Sequence, residues 1–394
     1  MLAPSDLGAR RPGRVRVGGR VLLRTDARVE LADAFGTISV HGSLTVGVGD
    51  LIVVSGSWTG RRLEGARLVA RYPAPEPRGD GEVARLLFQG VGNALRARAR
   101  ALAAIREYFA SQGFLEVETP IRVPAPGVDQ HVDAVRAGTH FLITSPELEM
   151  KRLLVGGVPR QFQLARVLRR DEQGAQHEPE FTLLEWYRAF AGQEAIQRDT
   201  EAVVRAVARA LSGRLELRAP DGRRIALSGP FERVTVDEAF RRHARVRDVA
   251  DLAASDEARY FELLVSRVEP ALARMDRPVF LCNYPVTQAA LARPCPDDPR
   301  FAERFELYAG GIELANGYGE LTDPVEQRRR FLLERKHRRA EKRPVYPLNE
   351  RFLAALVEGM PPSGGNALGV DRLVALALGV SEIRAVIAFP TDRL

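Results

Sequence analysis

The chain has 394 residues, 45% of them hydrophobic, enough for one large buried core and a second small one. Its 58 Lys and Arg against 51 Asp and Glu leave a formal charge of +7; all but three of these basic residues are arginine, a bias that reflects genome composition as much as a nucleic-acid footprint. No apolar run reaches the ~18 residues of a membrane span, the segment "MLAPSDLGARRPGRVRVGG" lacks a signal-peptide core, and two cysteines, Cys282 and Cys295, are too few for a disulfide framework or structural zinc; a cytosolic protein with free thiols and no membrane partner is expected.

In chain order, residues 1–75 hold "RVRVGGRVLLR", "VELADAFGTISVHG", "DLIVVSGSWTG" and "RLEGARLVARY". These four or five short β-prone runs, broken by glycine-bearing or Asp-rich turns, predict a small OB-like β-barrel. Such barrels stack single-stranded bases on aromatic side chains. Phe35, Trp58 and Tyr72 are the residues available for an RNA or tRNA contact. Residues 76–90, at the end of the proline-rich "RYPAPEPRGDG", read as a linker, and 91–394 as one larger domain. There "ALRARARALAAIREYFASQG" puts Leu95, Ala99, Leu102, Ile105 and Phe109 on one stripe and stops at Gly113, an amphipathic helix.

In "TSPELEMKRLL" (144–154), Ser145, Pro146 and Glu147 read as N-cap, first helical position and dipole-compensating acid of a helix. "RQFQLARVL" (160–168) and "EFTLLEWYRAF" (180–190), separated by the polar "RRDEQGAQHEP", predict a hairpin with a long tip loop. The period of two places Phe181, Leu183, Glu185 and Tyr187 on one face and Thr182, Leu184, Trp186 and Arg188 on the other. A face with an aromatic plate at one end and a carboxylate and phenol at the other can hold a base at the first and an amine at the second. Residues 191–275 read mostly helical, with an inserted turn at "APDGRR" and no evident chemistry. The basic run Arg328–Arg343, with Glu334 and Glu341 interspersed, is a solvated helix or one that faces an acidic partner or RNA. Gly364, Gly365 and Gly369 bracket a short apolar stretch, and Val370, Leu373, Val374 and Ala377 then follow helical spacing up to Gly379. Arg372 falls in the first turn of that helix, where free N–H groups attract anions and a guanidinium adds a planar clamp. Together with Arg169, which opens the hairpin loop, it could hold both ends of a triphosphate.

"GFLEVETP" (113–120), "FQLARVLRRDEQGAQHEPEFTLLEW" (162–186) and "ALGVDRLVALALG" (367–379) resemble motifs 1, 2 and 3 of class II aminoacyl-tRNA synthetases, in the order and spacing of the lysyl subgroup. "TSPELEMKRLL" and "GGIELANGYGELTD" (310–323) strengthen the likeness, which covers roughly residues 90–394. "LEWYR", "AERFELY" followed by "IELANG", and Ala367 where lysyl-tRNA synthetases place a glycine, look like the narrower group of elongation factor P lysine ligases, which generally lack an N-terminal barrel.

The resemblance implies an α+β fold, an antiparallel sheet flanked by helices, behind the small all-β barrel. It implies ATP and Mg2+ as cofactors, and a homodimer built on the Leu95–Phe109 stripe and the strand through Pro120. Arg169 would hold the α-phosphate and the substrate carboxylate, Arg372 the γ-phosphate, and Phe181 would stack on adenine. Arg170, Asp171, His177, Glu178, Leu314 and Gly369 would complete the ATP site, with Asp171 and Glu178 standing where the family usually has glutamate and asparagine. Glu306 and Glu313 match the magnesium carboxylates. Glu147 and Glu320 with Tyr187 would receive the side-chain amine, Asn316 nearby, and Ser145, Pro146, Glu185 and Ala367 would finish the pocket. The activity implied is activation of lysine or β-lysine as an adenylate and transfer to a lysine of elongation factor P. Lysyl-tRNA synthetase and a non-catalytic RNA-binding or regulatory paralogue remain open alternatives.

Overall fold

The computed structural model describes residues 1–127 and 131–394, which divide into two units, Met1–Ala99 and Arg100–Leu394. In the first unit, strands β1 (Gly13–Arg24), β2 (Arg28–Asp33), β3 (Gly36–His41), β4 (Leu51–Trp58) and β5 (Arg62–Tyr72) close into a barrel in the order β1-β2-β3-β5-β4. Closure removes the open edges that short strands would otherwise expose. Val15, Val17, Val21, Leu31, Val40, Ile52, Val54 and Leu63 fill the interior. Trp58, read above as a base-stacking residue, belongs to that core at 4% exposure, its indole N–H donating to the Arg10 carbonyl at 3.3 Å. Phe35 lies under the Arg96 guanidinium, 4.3 Å from the ring centre, and Tyr72 is the most open of the three at 61%. The first unit runs on to Ala99, and so includes the start of helix α1 (Val91–Ser111).

The second unit is built on eight strands: β6 (Leu115–Glu116), β7 (Arg160–Leu168), β8 (Glu180–Ala189), β9 (Glu232–Thr235), β10 (Val279–Pro285), β11 (Phe301–Ala309), β12 (Ile312–Gly319) and β13 (Ser363–Gly369). Their order is β9-β10-β11-β12-β13-β8-β7-β6, antiparallel except at the two margins, where β9–β10 and β7–β6 run parallel. Helices α2 (Glu147–Val155), α3 (Gln193–Ser212), α4 (Pro324–Ala340), α5 (Glu350–Gly359) and α6 (Val370–Leu378) flank it. The fold is thus the α+β arrangement the motifs imply. The "APDGRR" turn joins a two-stranded hairpin, Glu216–Arg218 with Arg224–Ala226.

Two expectations are corrected. The helical stripe exists, but Ile105 and Phe109 are wholly buried in their own chain, Phe109 stacked at 4.7 Å on Phe162 and 5.3 Å from Trp186. What stays open is the margin near β6, with Leu115 and Ile121 each 56% exposed. The basic run forms α4, yet it is not solvated throughout. Arg330 and Arg338 are buried, Arg330 donating to the carbonyls of Ala289 and Ala292, and Arg338 to those of Val132 and Pro344 and to Asp133. Among the described residues no helix is long and apolar enough to cross a membrane.

Candidate active site

One face of the sheet floors a cavity of about 500 Å³. The register builds the floor in rows. Glu185 pairs with Ala367, Ala367 with Asn316, and Asn316 with Glu306, so one row crosses four strands. The next row, two residues along, is Tyr187, Gly365, Tyr318 and Arg304. Phe181, Leu183, Glu185 and Tyr187 all line the cavity, as the alternation requires, while Trp186 packs on the opposite face. Gly365 has no room for a side chain: a Cβ there would stand 2.3 Å from the Tyr187 ring and 2.5 Å from a Glu320 oxygen. Gly310 and Gly311, with φ of 59° and 83°, form the turn between β11 and β12 and so set Glu306 and Glu313 on adjacent strands.

At one end Arg169 and Arg372 face each other across the hairpin loop. Arg372 donates to the carbonyls of Gln176 (3.2 Å) and Glu313 (2.8 Å) and to His177 Nε2 (2.7 Å). Burial and then the Arg372 charge push the His177 pKa down, so the ring is neutral and accepts. Arg169 lies 5.2 Å over the Phe181 ring; its Nε makes no hydrogen bond and its nearest carboxylate, on Glu172, is 3.8 Å away. Glu178 also lines the cavity, but one of its oxygens is already taken by the Thr391 N–H and hydroxyl, at 3.0 and 2.7 Å. Leu314 and Gly369 line this end too. Arg170 and Asp171 do not: Arg170 turns to Asp133, and Asp171, at φ 64°, is exposed and pairs with Arg170.

Glu306 accepts from Tyr284 (2.5 Å), Tyr308 (2.7 Å) and Arg304 (2.5 Å). Glu313 has its pKa raised by burial and then by the Glu306 charge. Two carboxylates that repel each other in a cleft make a place for a cation. Among the described residues no group of three or more His, Cys, Asp or Glu that could hold a metal ion exists, and Glu306 already accepts from three donors.

At the other end Ser145 Oγ donates to Glu185 at 2.6 Å and accepts the Glu147 N–H at 3.0 Å; α2 starts at Glu147 with Pro146, not Ser145, at its N-cap position, one residue later than expected. The Tyr187 hydroxyl donates to Glu185 at 2.9 Å. Burial, and then the Glu147 charge, lift the Glu185 pKa to about 8. Glu147, Glu185, Tyr187, Asn316 and Ala367 line the cavity; Pro146 and Glu320 do not. The sequence reading puts a substrate amine between Glu147 and Glu320. The structure puts Lys151 there, wholly buried, its Nζ 2.5 Å from Glu147 and 2.6 Å from Glu320.

The family model for tRNA synthetases of class II (D, K and N) matches residues 78–393. The chain belongs to this family. The elongation factor P–(R)-β-lysine ligase of Erwinia tasmaniensis is 41% identical over 332 residues, 77% of this chain and 96% of the relative. The ligases of the same name from Klebsiella pneumoniae subsp. pneumoniae and Salmonella paratyphi B are 40% and 38% identical over 328 residues each, 76% of this chain and 95% of the relative in both cases. A class II synthetase-type ligase uses ATP, and the two-arginine end suits it. The barrel strands, ending at Tyr72, precede the segment matched by the family.

Arg304 in the cavity lining and Lys151 beside it are among the polar residues that sequence reasoning passed over. Lys151 carried two signals: the spacing of four from Glu147 and the rarity of lysine in an arginine-rich chain. Arg304, two residues from Glu306 on β11, carried only that spacing. Neither cysteine forms a disulfide, and burial pushes the thiol of Cys282 up to about 12 and that of Cys295 up to about 11.

Proposed function

We propose that the protein activates (R)-β-lysine, or lysine, with ATP and transfers it to a lysine side chain of elongation factor P. The observation that carries this reading is the identity of about 40% to ligases of that name, which extends over 95–96% of their length. Arg169 binds the α-phosphate and the amino-acid carboxylate, which attacks the phosphorus to form the mixed anhydride as pyrophosphate leaves. Arg372 holds the far phosphate, Phe181 offers its face to adenine, and His177, Glu178, Leu314 and Gly369 surround the nucleotide. Glu306 and Glu313 would hold Mg2+, which when bound would supply neutralisation of phosphate charge. Catalysis of this kind is mainly positioning and charge neutralisation. Glu185, with its Tyr187 and Ser145 partners, and Glu147 receive the ammonium of the substrate, while Asn316 and Ala367 shape the wall. The acceptor amine then attacks the acyl carbon and AMP leaves.

The protein acts in the cytoplasm, where its acceptor is made, and as a homodimer joined through the open Leu115–Ile121 margin; light scattering checks the latter. The test of function is pyrophosphate exchange with a panel of amino acids, followed by transfer of labelled amino acid to elongation factor P and, separately, to tRNA. Labelling of the factor is expected. Labelling of tRNA alone would favour a lysyl-tRNA synthetase, a reading supported by the closed barrel, through which an RNA contact would be made.

A further inference from the structure

Arg169 is held less by its side chain than by its backbone. Its guanidinium has Glu172 at 3.8 Å and the Phe181 ring at 5.2 Å, and its Nε makes no hydrogen bond. The main chain is tied on both sides: the Arg169 N–H donates to the Pro179 carbonyl and the Arg170 N–H to the Asp133 carbonyl, each at 2.8 Å. The chain turns immediately afterwards, through Asp171 at φ 64°, so the second tie fixes where the loop leaves β7. Asp133 is itself clamped. Its carboxylate accepts from Arg338, whose side chain is wholly buried, from Arg343 at 3.3 Å, and from Arg170 and the Tyr346 hydroxyl at 3.4 Å each. Arg338 also donates to the Val132 carbonyl at 3.0 Å, and the Tyr346 hydroxyl accepts the Ala134 N–H at 2.8 Å. Burial disfavours the Asp133 charge, but the Arg338 hydrogen bond and then the Arg343 charge outweigh it and hold its pKa below the ordinary carboxylate value. Val132 lines the cavity, whereas Asp133 and Arg170 do not.

We propose that Asp133 is a positioning residue for the adenylation step: anchored by Arg338 and Arg343, it grips Arg170 by backbone and side chain and so fixes the direction in which Arg169 enters the cavity. An arginine with so few partners points where its backbone sends it. A shift of about 1 Å in a group that meets the reacting atoms can cost on the order of a hundredfold in rate. Arg170, expected at the nucleotide, is instead the handle by which the end of α4 sets its neighbour. Asp133 touches neither substrate and acts through Arg170. The inference rests on the proposed adenylation, with Arg169 at the α-phosphate.

The experiment measures pyrophosphate exchange for the wild type, D133N and R170A, each also in an R169K background, with folding followed by circular dichroism. D133N keeps the size of the side chain and removes the charge that gathers three guanidinium groups. R170A leaves Asp133 with Arg338 and Arg343 and removes only the side-chain half of the grip. D133N is expected to lower kcat about tenfold or more and R170A by a smaller factor, while KM for ATP stays within about twofold, since Arg372 and Phe181 still hold the nucleotide. In the R169K background both changes should cost much less, because residues that act through one group are not additive. A folded D133N with the kcat of the wild type, a fall in kcat matched by an equal rise in KM for ATP, or an undiminished loss in the R169K background overturns the proposal. Should D133N not fold, R170A decides: an unchanged kcat is the overturning result. Exchange by the wild type beside unaffected variants defeats this inference alone; no exchange with any lysine-type amino acid defeats the functional reading and this inference with it.

Discussion

The two ends of the cavity solve opposite charge problems. At the arginine end, guanidinium groups stand with few carboxylate partners: Arg169 has Glu172 at 3.8 Å and Arg372 has Glu313 at 3.7 Å. At the acidic end, Lys151 Nζ lies within 2.6 Å of a carboxylate oxygen of both Glu147 and Glu320, and Glu185 is held by two hydroxyls. A highly charged, well-hydrated ligand can organise open arginines itself. A single ammonium supplies much less, so its desolvation has to be offset by a site built beforehand.

This contrast can be broken most severely at Arg169. Arg169→Ala should abolish pyrophosphate exchange, since a lost charge contact to a reacting phosphate in a desolvated site costs on the order of 3 kcal/mol or more. At the acidic end the effect is smaller and depends on pH. With the Glu185 pKa near 8, the carboxyl must lose its proton before it can pair with an ammonium, so kcat/KM for the amino acid should rise as pH climbs through about 8. Glu185→Gln should remove that limb and raise KM, read from a pH series of exchange rates. The linkage has a second readout. Because the folded pKa lies above the ordinary carboxylate value of 4.5, ionisation destabilises the fold progressively between 4.5 and about 8, and Glu185→Gln should melt higher than the wild type above pH 8.

Ala367, opposite Glu185, sharpens the comparison on the neutral part of the wall. Ala367→Gly should raise kcat/KM for α-lysine relative to β-lysine by a graded amount, since one methyl changes discrimination by about 1–3 kcal/mol. An unchanged ratio would make Ala367 a packing residue only. The smallest effect is expected outside the cavity. Arg328 and Glu350 form an exposed pair at 2.5 Å, and Arg328→Ala should leave the midpoint of a denaturant melt and the exchange rate nearly unchanged, since water and salt screen such a pair.

What the sequence disclosed follows from how local each relation is. The Phe181–Tyr187 face was legible because alternation is a property of one strand. Glu306 and Glu313 were legible because a single glycine turn separates their strands. The partner of Lys151 was not, since Glu320 lies 169 residues away in sequence and only sheet order brings it near. Amphipathic spacing predicted helix α1 and stated that Ile105 and Phe109 are covered. It could not state by what, and their own sheet covers them. Trp58 went astray for the same reason: an aromatic on a barrel strand points in or out according to register, which composition does not reveal.

Positions 365 and 367 sit two residues apart on β13 and face the same cavity, yet they differ as handles for redesign. Residue 367 already carries a methyl group, so its size can be varied to lengthen or shorten the space for other amino acids. Residue 365 cannot be varied in this way, because even alanine would collide with the Tyr187 ring and the Glu320 carboxylate that steadies Lys151. A library randomised at both sites should therefore return active clones with many residues at 367 and only glycine at 365.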